Sequence, residues 1–177
     1  VKFLLIFLLF FLGGCATNVE SIKDDKDILV NESSGYILLG IDSNVRLKSI
    51  QIEGPKNIRI TRQDLAAGSN YILLALQAGE YRLTRIEFSQ YYRAYVDDQE
   101  YWTFTIKEGE INYGGDIELR TQMFARSLRY HMELINNSSL ALAFLKAQFP
   151  TILASKAIVY GGPGKDDYLK LWSNQSL

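Results

Sequence analysis

Trp102-Thr103-Phe104-Thr105-Ile106-Lys107, a turn at Glu108-Gly109-Glu110, then Ile111-Asn112-Tyr113-Gly114-Gly115-Asp116-Ile117-Glu118-Leu119-Arg120: the reading of this stretch decides the fold. Trp102, Phe104 and Ile106 fall on one face, and Thr103, Thr105 and Lys107 on the other. Past the turn, Ile111, Tyr113, Gly115, Ile117 and Leu119 share a face opposite Asn112, Asp116, Glu118 and Arg120. Side chains that alternate with a period of two belong to strands with one face in a core and one in water. Leu128, Tyr130, Met132 and Leu134 repeat the pattern against Arg129, His131 and Glu133.

Upstream the same reading continues with interruptions. Tyr36 to Ile41 is a short apolar run that ends at the turn Asp42-Ser43-Asn44. From Val45 to Glu53 the alternation slips: Val45 and Leu47 hold one parity, Ile50 and Ile52 the other, which predicts a bulge or bend. Ile58-Arg59-Ile60 resumes a strand after Gly54-Pro55-Lys56-Asn57. Tyr71 to Leu76 is apolar throughout, as for a strand buried on both faces. Tyr81 to Phe88 follows with mixed parity. These segments predict a mainly β chain, a single antiparallel β-sandwich of about seven or eight strands. One helix is expected near 138–149: Asn136-Asn137-Ser138 starts it, Leu142, Leu145 and Phe149 face a core, and Pro150 stops it. The tail, with Ile158-Val159-Tyr160 and Gly161-Gly162-Pro163-Gly164, is expected to wrap over the domain.

Composition narrows the function classes. At 177 residues, 47% hydrophobic and 22% charged, the chain suits one packed domain. Eleven tyrosines and nine phenylalanines against three prolines fit β structure. With 19 basic and 20 acidic side chains there is no cationic excess to neutralise phosphates, so no nucleic-acid partner is expected. The single cysteine allows no internal disulfide, and with the single His131 it leaves no zinc spacing. Gly161 to Lys165 fails as a phosphate loop, because Val159 stands where glycine is needed and Asp166 where Ser or Thr is needed. No Gly-x-Ser-x-Gly elbow is present. His131 alternates with Arg129 and Glu133 on a wet face and reads as solvated. Asp24, Asp25 and Asp27 lack the glycine and the distal glutamate of a calcium loop. No catalytic residue, metal or cofactor is therefore assigned.

The first residues carry an address. Lys2 precedes an uninterrupted apolar run from Phe3 to Leu12, followed by Gly13-Gly14-Cys15. A ten-residue helix spans about 15 Å, half the roughly 30 Å of a bilayer core, so the run suits a signal peptide and not a span. Leu12-Gly13-Gly14-Cys15 resembles the lipobox of bacterial lipoproteins. The resemblance implies cleavage before Cys15, lipidation there, and attachment to a membrane through two or three acyl chains, enough for stable anchoring. It divides the chain into a signal peptide at 1–14, a lipidated polar tether at 15–34 and the β domain at 35–177. Ala16, in place of an aspartate, implies by the same resemblance the periplasmic face of the outer membrane in a Gram-negative cell.

A second resemblance covers roughly residues 70–150. Leu76-Gln77-Ala78-Gly79-Glu80-Tyr81-Arg82-Leu83 resembles a hairpin segment of transthyretin-like (prealbumin-like) sandwich modules. Phe104 to Ile117, and then Gln148-Phe149-Pro150, look like a pattern found in uncharacterised bacterial envelope lipoproteins. These motifs are structural and carry no catalytic residue across.

Two function classes follow. The first is a non-catalytic binding, structural or assembly module that meets an envelope protein partner. The second is an envelope hydrolase or glycan-binding protein. The suggestive cluster for a binding surface is Tyr91, Tyr92, Tyr95 and Tyr101, with Asp97, Asp98 and Glu100 nearby. Trp102 keeps register with Phe104 and Ile106 and belongs to the core. Tyrosine offers an apolar body with a polar tip and suits either a sugar or a protein contact.

Overall fold

A computed structural model describes residues 16–29, 33–97 and 100–175. Among these are eleven strands and three helices, numbered here in chain order. In the first sheet β1 (Thr17–Val19), β4 (Ile58–Thr61), β3 (Ser49–Glu53), β6 (Gly79–Glu87) and β7 (Arg93–Tyr95) lie side by side in that order, and β8 (Thr103–Ile106) also pairs with β6. In the second, the order is β10 (Ser127–Ile135), β9 (Ile111–Phe124), β2 (Ser34–Ser43) and β5 (Gly68–Gln77), with β11 (Ile158–Tyr160) also on β9. The helices are α1 (Ser138–Gln148), α2 (Pro150–Ser155) and α3 (Asp167–Gln175).

The chain is mainly β, as the alternation predicts, but three finer expectations need correction. Seven or eight strands become eleven, because β1, β7 and β11 are three-residue strands too short to show a period. The sheets are mixed and not antiparallel throughout: β1 pairs parallel to β4, β2 to β9, and β11 to β9. Local alternation does not encode the direction of a distant partner. One helix becomes three. Pro150 ends α1 as expected and also opens α2, where its missing N–H costs nothing.

Two apolar clusters hold the layers together. One draws Ile37, Leu39, Ile72 and Leu74 from the second sheet together with Ile50, Ile52, Ile58 and Ile60 from the first, and it includes Trp102, Phe104 and Ile106. The other joins Tyr36, Leu38, Leu73, Ile111 and Tyr113 to Leu142, Leu145, Ile152 and Leu169 of the helices. β2 and β5 therefore bury both faces. Each side chain from Tyr36 to Leu39 is at most 1% exposed, and burial on that scale contributes roughly 1.5–3 kcal/mol per large apolar residue.

The parity slips have specific causes. Leu38 pairs with Tyr113 and Gly40 with Asp116, so β9 carries one extra residue at Gly114-Gly115. Gly115 has φ +103°, a value that favours glycine. This bulge turns the strand over: Ile111 and Tyr113 face the helices, while Ile117 and Leu119 join the cluster shared by the sheets. The expected common face of Ile111, Tyr113, Ile117 and Leu119 is thus split between two layers. The mixed parity of β6 has the same origin, since Gln51 pairs with Arg85 and Ile52 with Leu83, leaving Thr84 as the extra residue.

The segment expected to be a tether is, over residues 16–29, part of the fold. β1 pairs with β4, and the Ile22 N–H donates to the Leu73 carbonyl at 2.8 Å. The Asp25 carboxylate accepts the N–H groups of Thr151 and Ile152 at the start of α2, at 2.7 and 3.0 Å. Asp27 pairs with Lys156 at 2.9 Å and accepts the Tyr36 hydroxyl at 2.7 Å. Those acids look like linker residues in the sequence because their partners lie far along the chain.

Strand registers also fix the two ends of the molecule. The starts of β1, β4 and β6 and the end of β3 lie together at one end, with the end of β5 and the starts of β2 and β9. At the other end β2 stops at Ser43, opposite Leu119, while β9 continues to Phe124. That extension is about 17 Å at the rise of a strand. The β9–β10 hairpin is thus an arm projecting from the end opposite Thr17.

Candidate functional site

Cys15, with the whole expected signal segment, lies outside the described residues. Asp98 of the acidic loop lies outside them as well. The four tyrosines singled out from the sequence are all placed, each with different neighbours. Tyr95 is exposed on β7, where its neighbours Arg93 and Arg85 hold its hydroxyl below the usual tyrosine range. Tyr101 stacks edge-on against Trp102 at 5.3 Å and bonds to β10, donating to the Leu134 carbonyl at 2.8 Å. Tyr92 is half-buried and donates to the Arg126 carbonyl at 2.8 Å. Tyr91, next to it, is 78% exposed.

Tyr91 and Tyr92 therefore belong with the arm. The arm carries Met123 at 57%, Phe124 at 64% and Tyr130 at 46% exposure. Phe88 packs on Tyr130 with ring centroids 5.5 Å apart, and the Arg129 guanidinium lies 5.4 Å from the centre of the Phe124 ring. At the tip Ala125 has φ +53°, a conformation costly to a residue with a Cβ. From Thr121 to Met132 the sequence has Arg126, Arg129 and His131 and no acid. Met123 and Tyr130 lie on one face of the arm and Phe124, with Arg129, on the other; large apolar side chains exposed beside cations are the composition of a contact surface. Sequence alternation places Tyr130 in the core. It is exposed because β10 runs past the layer that would have covered it.

A half-buried polar cluster forms a second candidate. The Asp116 carboxylate accepts the Tyr113 hydroxyl at 2.7 Å, the Tyr71 hydroxyl at 3.1 Å and the Asn137 amide at 3.0 Å. The Tyr113 hydroxyl in turn accepts the Asn137 N–H at 2.9 Å. Burial holds the Asp116 carboxyl above the usual carboxylate range, outweighing the bonds from Tyr113, Asn137 and Tyr71. Both tyrosines are pushed upward, by burial first and by Asp116 second. Gly40 makes the space, since a Cβ there would lie 1.9 Å from the Asp116 carboxylate. A perturbed carboxylate beside a cavity has the chemistry of an acid–base site. The adjoining cavity is only about 150 Å³, below the roughly 300 Å³ at which small-molecule sites begin. Both carboxylate oxygens already have donors. The cluster welds β9 to β5 and to the start of α1. It joins residues 45 positions apart, and the only local trace of it is the Gly114-Gly115 pair.

The remaining sequence candidates are dispersed. His131 is exposed and bonds to Glu133 at 2.8 Å. Glu100 borders an open depression of about 430 Å³ with Glu53 and Glu80, and Arg82 holds Glu53 at 2.9 Å. Among the described residues no three His, Cys, Asp or Glu side chains group as metal ligands, and no helix is long and apolar enough to cross a membrane. No protein family matches the chain, and no curated protein matches it in sequence.

Proposed function

We propose that this chain is a membrane-anchored envelope lipoprotein that acts as a non-catalytic binding or assembly module. In this reading its two sheets face one another as a sandwich, acyl chains on Cys15 hold it at the membrane, and the arm meets an envelope protein partner. The supporting observation is the exposure of large apolar side chains on both faces of the arm, Met123 and Tyr130 on one and Phe124 on the other, at the end opposite Thr17. Only Ala16 separates Cys15 from β1. The anchor then keeps the domain close to the headgroups and turns the arm outward. For a Gram-negative cell, outward from the outer membrane's inner leaflet is into the periplasm.

Two experiments test the reading. Metabolic acyl labelling is expected to mark the wild type and to leave Cys15→Ser unlabelled and free of the membrane fraction; a labelled variant overturns the anchor. A photoreactive residue in place of Phe124 is expected to yield one discrete protein adduct in cells, and one in place of Lys56, at the opposite end, none. Equal adducts at both positions, or none at Phe124, overturn the arm as the contact.

A further inference from the structure

A cavity of about 410 Å³ lies beside β11 and α3. Lys107 from the β8–β9 turn, Lys165 from the loop after β11, and Lys170 from α3 all line it. Among the described residues none of the three makes an ion pair. The one acid on the wall, Asp166, is already committed. One of its oxygens takes the Leu169 N–H at 2.6 Å, and the other takes the Asn136 amide at 2.7 Å and the Ser138 hydroxyl. Asp166 is 5% exposed and forms no ion pair with the lysines, and its single charge against three leaves the wall net positive.

Apart from Ser173, the rest of the wall is mainly apolar and held in place. Val159, Tyr160 and Leu169 contribute to it, and the Tyr160 hydroxyl donates to the Pro163 carbonyl at 3.0 Å. The loop that carries Lys165 is stitched to the sheets: the Gly161 carbonyl accepts the Thr105 N–H at 2.8 Å, and its N–H donates to Tyr113 at 2.9 Å. A Cβ at Gly161 would lie 2.3 Å from the Thr105 carbonyl, so glycine there serves packing. The Gly161–Lys165 run is thus no phosphate loop, yet it delivers a lysine to a cavity with two others.

We propose that this cavity binds a phosphate ester, its tetrahedral anion held by Lys107, Lys165 and Lys170 and its organic part lying against Val159, Tyr160 and Leu169. Three compact cations on flexible stems suit an oxyanion approached from several sides, whereas a carboxylate is matched best by the flat guanidinium fork. The volume is within the roughly 300–1,000 Å³ of small-molecule sites. The ester has two sources, a soluble metabolite or a phospholipid headgroup.

The test uses the full chain in neutral detergent, its lysines ¹³C-dimethylated with charge retained and followed by NMR. It is titrated separately with glycerol 3-phosphate, dihexanoyl phosphatidylglycerol and inorganic phosphate. The signals of Lys107, Lys165 and Lys170 are expected to move together and to saturate with an ester, while those of Lys26, Lys48 and Lys56 stay still. Lys107→Gln and Lys165→Gln are each expected to weaken binding about five- to tenfold, with Lys165→Arg retaining most of it. Saturation by glycerol 3-phosphate supports a soluble ester, and saturation by the lipid alone supports a headgroup. The proposal is overturned if no ester saturates the three signals. It is equally overturned if all six lysines respond alike, or if inorganic phosphate binds as tightly as the esters.

Discussion

β9 is one strand in two environments. Ahead of Gly114-Gly115 its side chains Ile111 and Tyr113 are fully buried against the helices, while beyond Leu119 Met123 and Phe124 stand in solvent. Large apolar side chains occur in both halves. What differs is the covering: β2 accompanies β9 only as far as Ser43, and the helical layer lies over the other end. The buried half supplies stability, and the free half supplies surface that folding does not use.

The largest effect should come from the buried half. Gly40→Ala forces a methyl into the space of the Asp116 carboxylate, which three donors hold in place. A loss of about 3–4 kcal/mol is expected from urea unfolding. Asp116→Ala should cost about 2 kcal/mol, because the half-buried Tyr71 hydroxyl and the Tyr113 hydroxyl lose their acceptor.

A pH series separates the charge from the shape. The Asp116 carboxyl is held above its ordinary 3.8 by burial. The folded state therefore keeps a proton that the unfolded chain has already released. Its contribution to stability is complete below about pH 4 and is lost as pH rises through the raised value. Asp116→Asn cannot titrate. The stability difference, wild type minus variant, is expected to fall from pH 4 towards neutrality and then level off; a flat difference would mean that the carboxyl titrates normally.

Smaller effects are expected on the arm. Ala125→Gly relieves the positive φ at the tip and should stabilise by under about 1 kcal/mol, net of glycine's greater freedom in the unfolded chain. Phe124→Ser and Met123→Ser should each change stability by less than about 0.5 kcal/mol, and Met123→Ser should weaken the adduct formed by the photoreactive residue at position 124. A large loss of stability in either would erase the contrast between the halves of β9.

Several features are legible in the sequence. Trp102, Phe104 and Ile106 alternate into the core, Tyr71 to Leu76 is covered on both sides, and α1 starts after Asn136-Asn137 and ends at Pro150. These readings hold because alternation, burial pattern and capping are local properties of a few neighbouring residues. The slips in β6 and β9 are less legible. A bulge changes parity without announcing its position, and at Gly114-Gly115 the alternation runs on unbroken through the residue that inverts it. Within residues 16–29 the sequence hides the packing, because Asp25 and Asp27 look solvated until α2, Lys156 and Tyr36 are brought beside them.

By itself, the sequence determined the mainly β character, the first helix and the apolar faces of most strands, since period and propensity act over a few residues. Tertiary structure alone decided the strand directions, the welding of Asp116 to Tyr71, the grouping of Lys107, Lys165 and Lys170, and the exposure of Phe124. Each of these depends on which distant segments lie side by side and where a covering layer stops, and no local pattern of side chains carries that information.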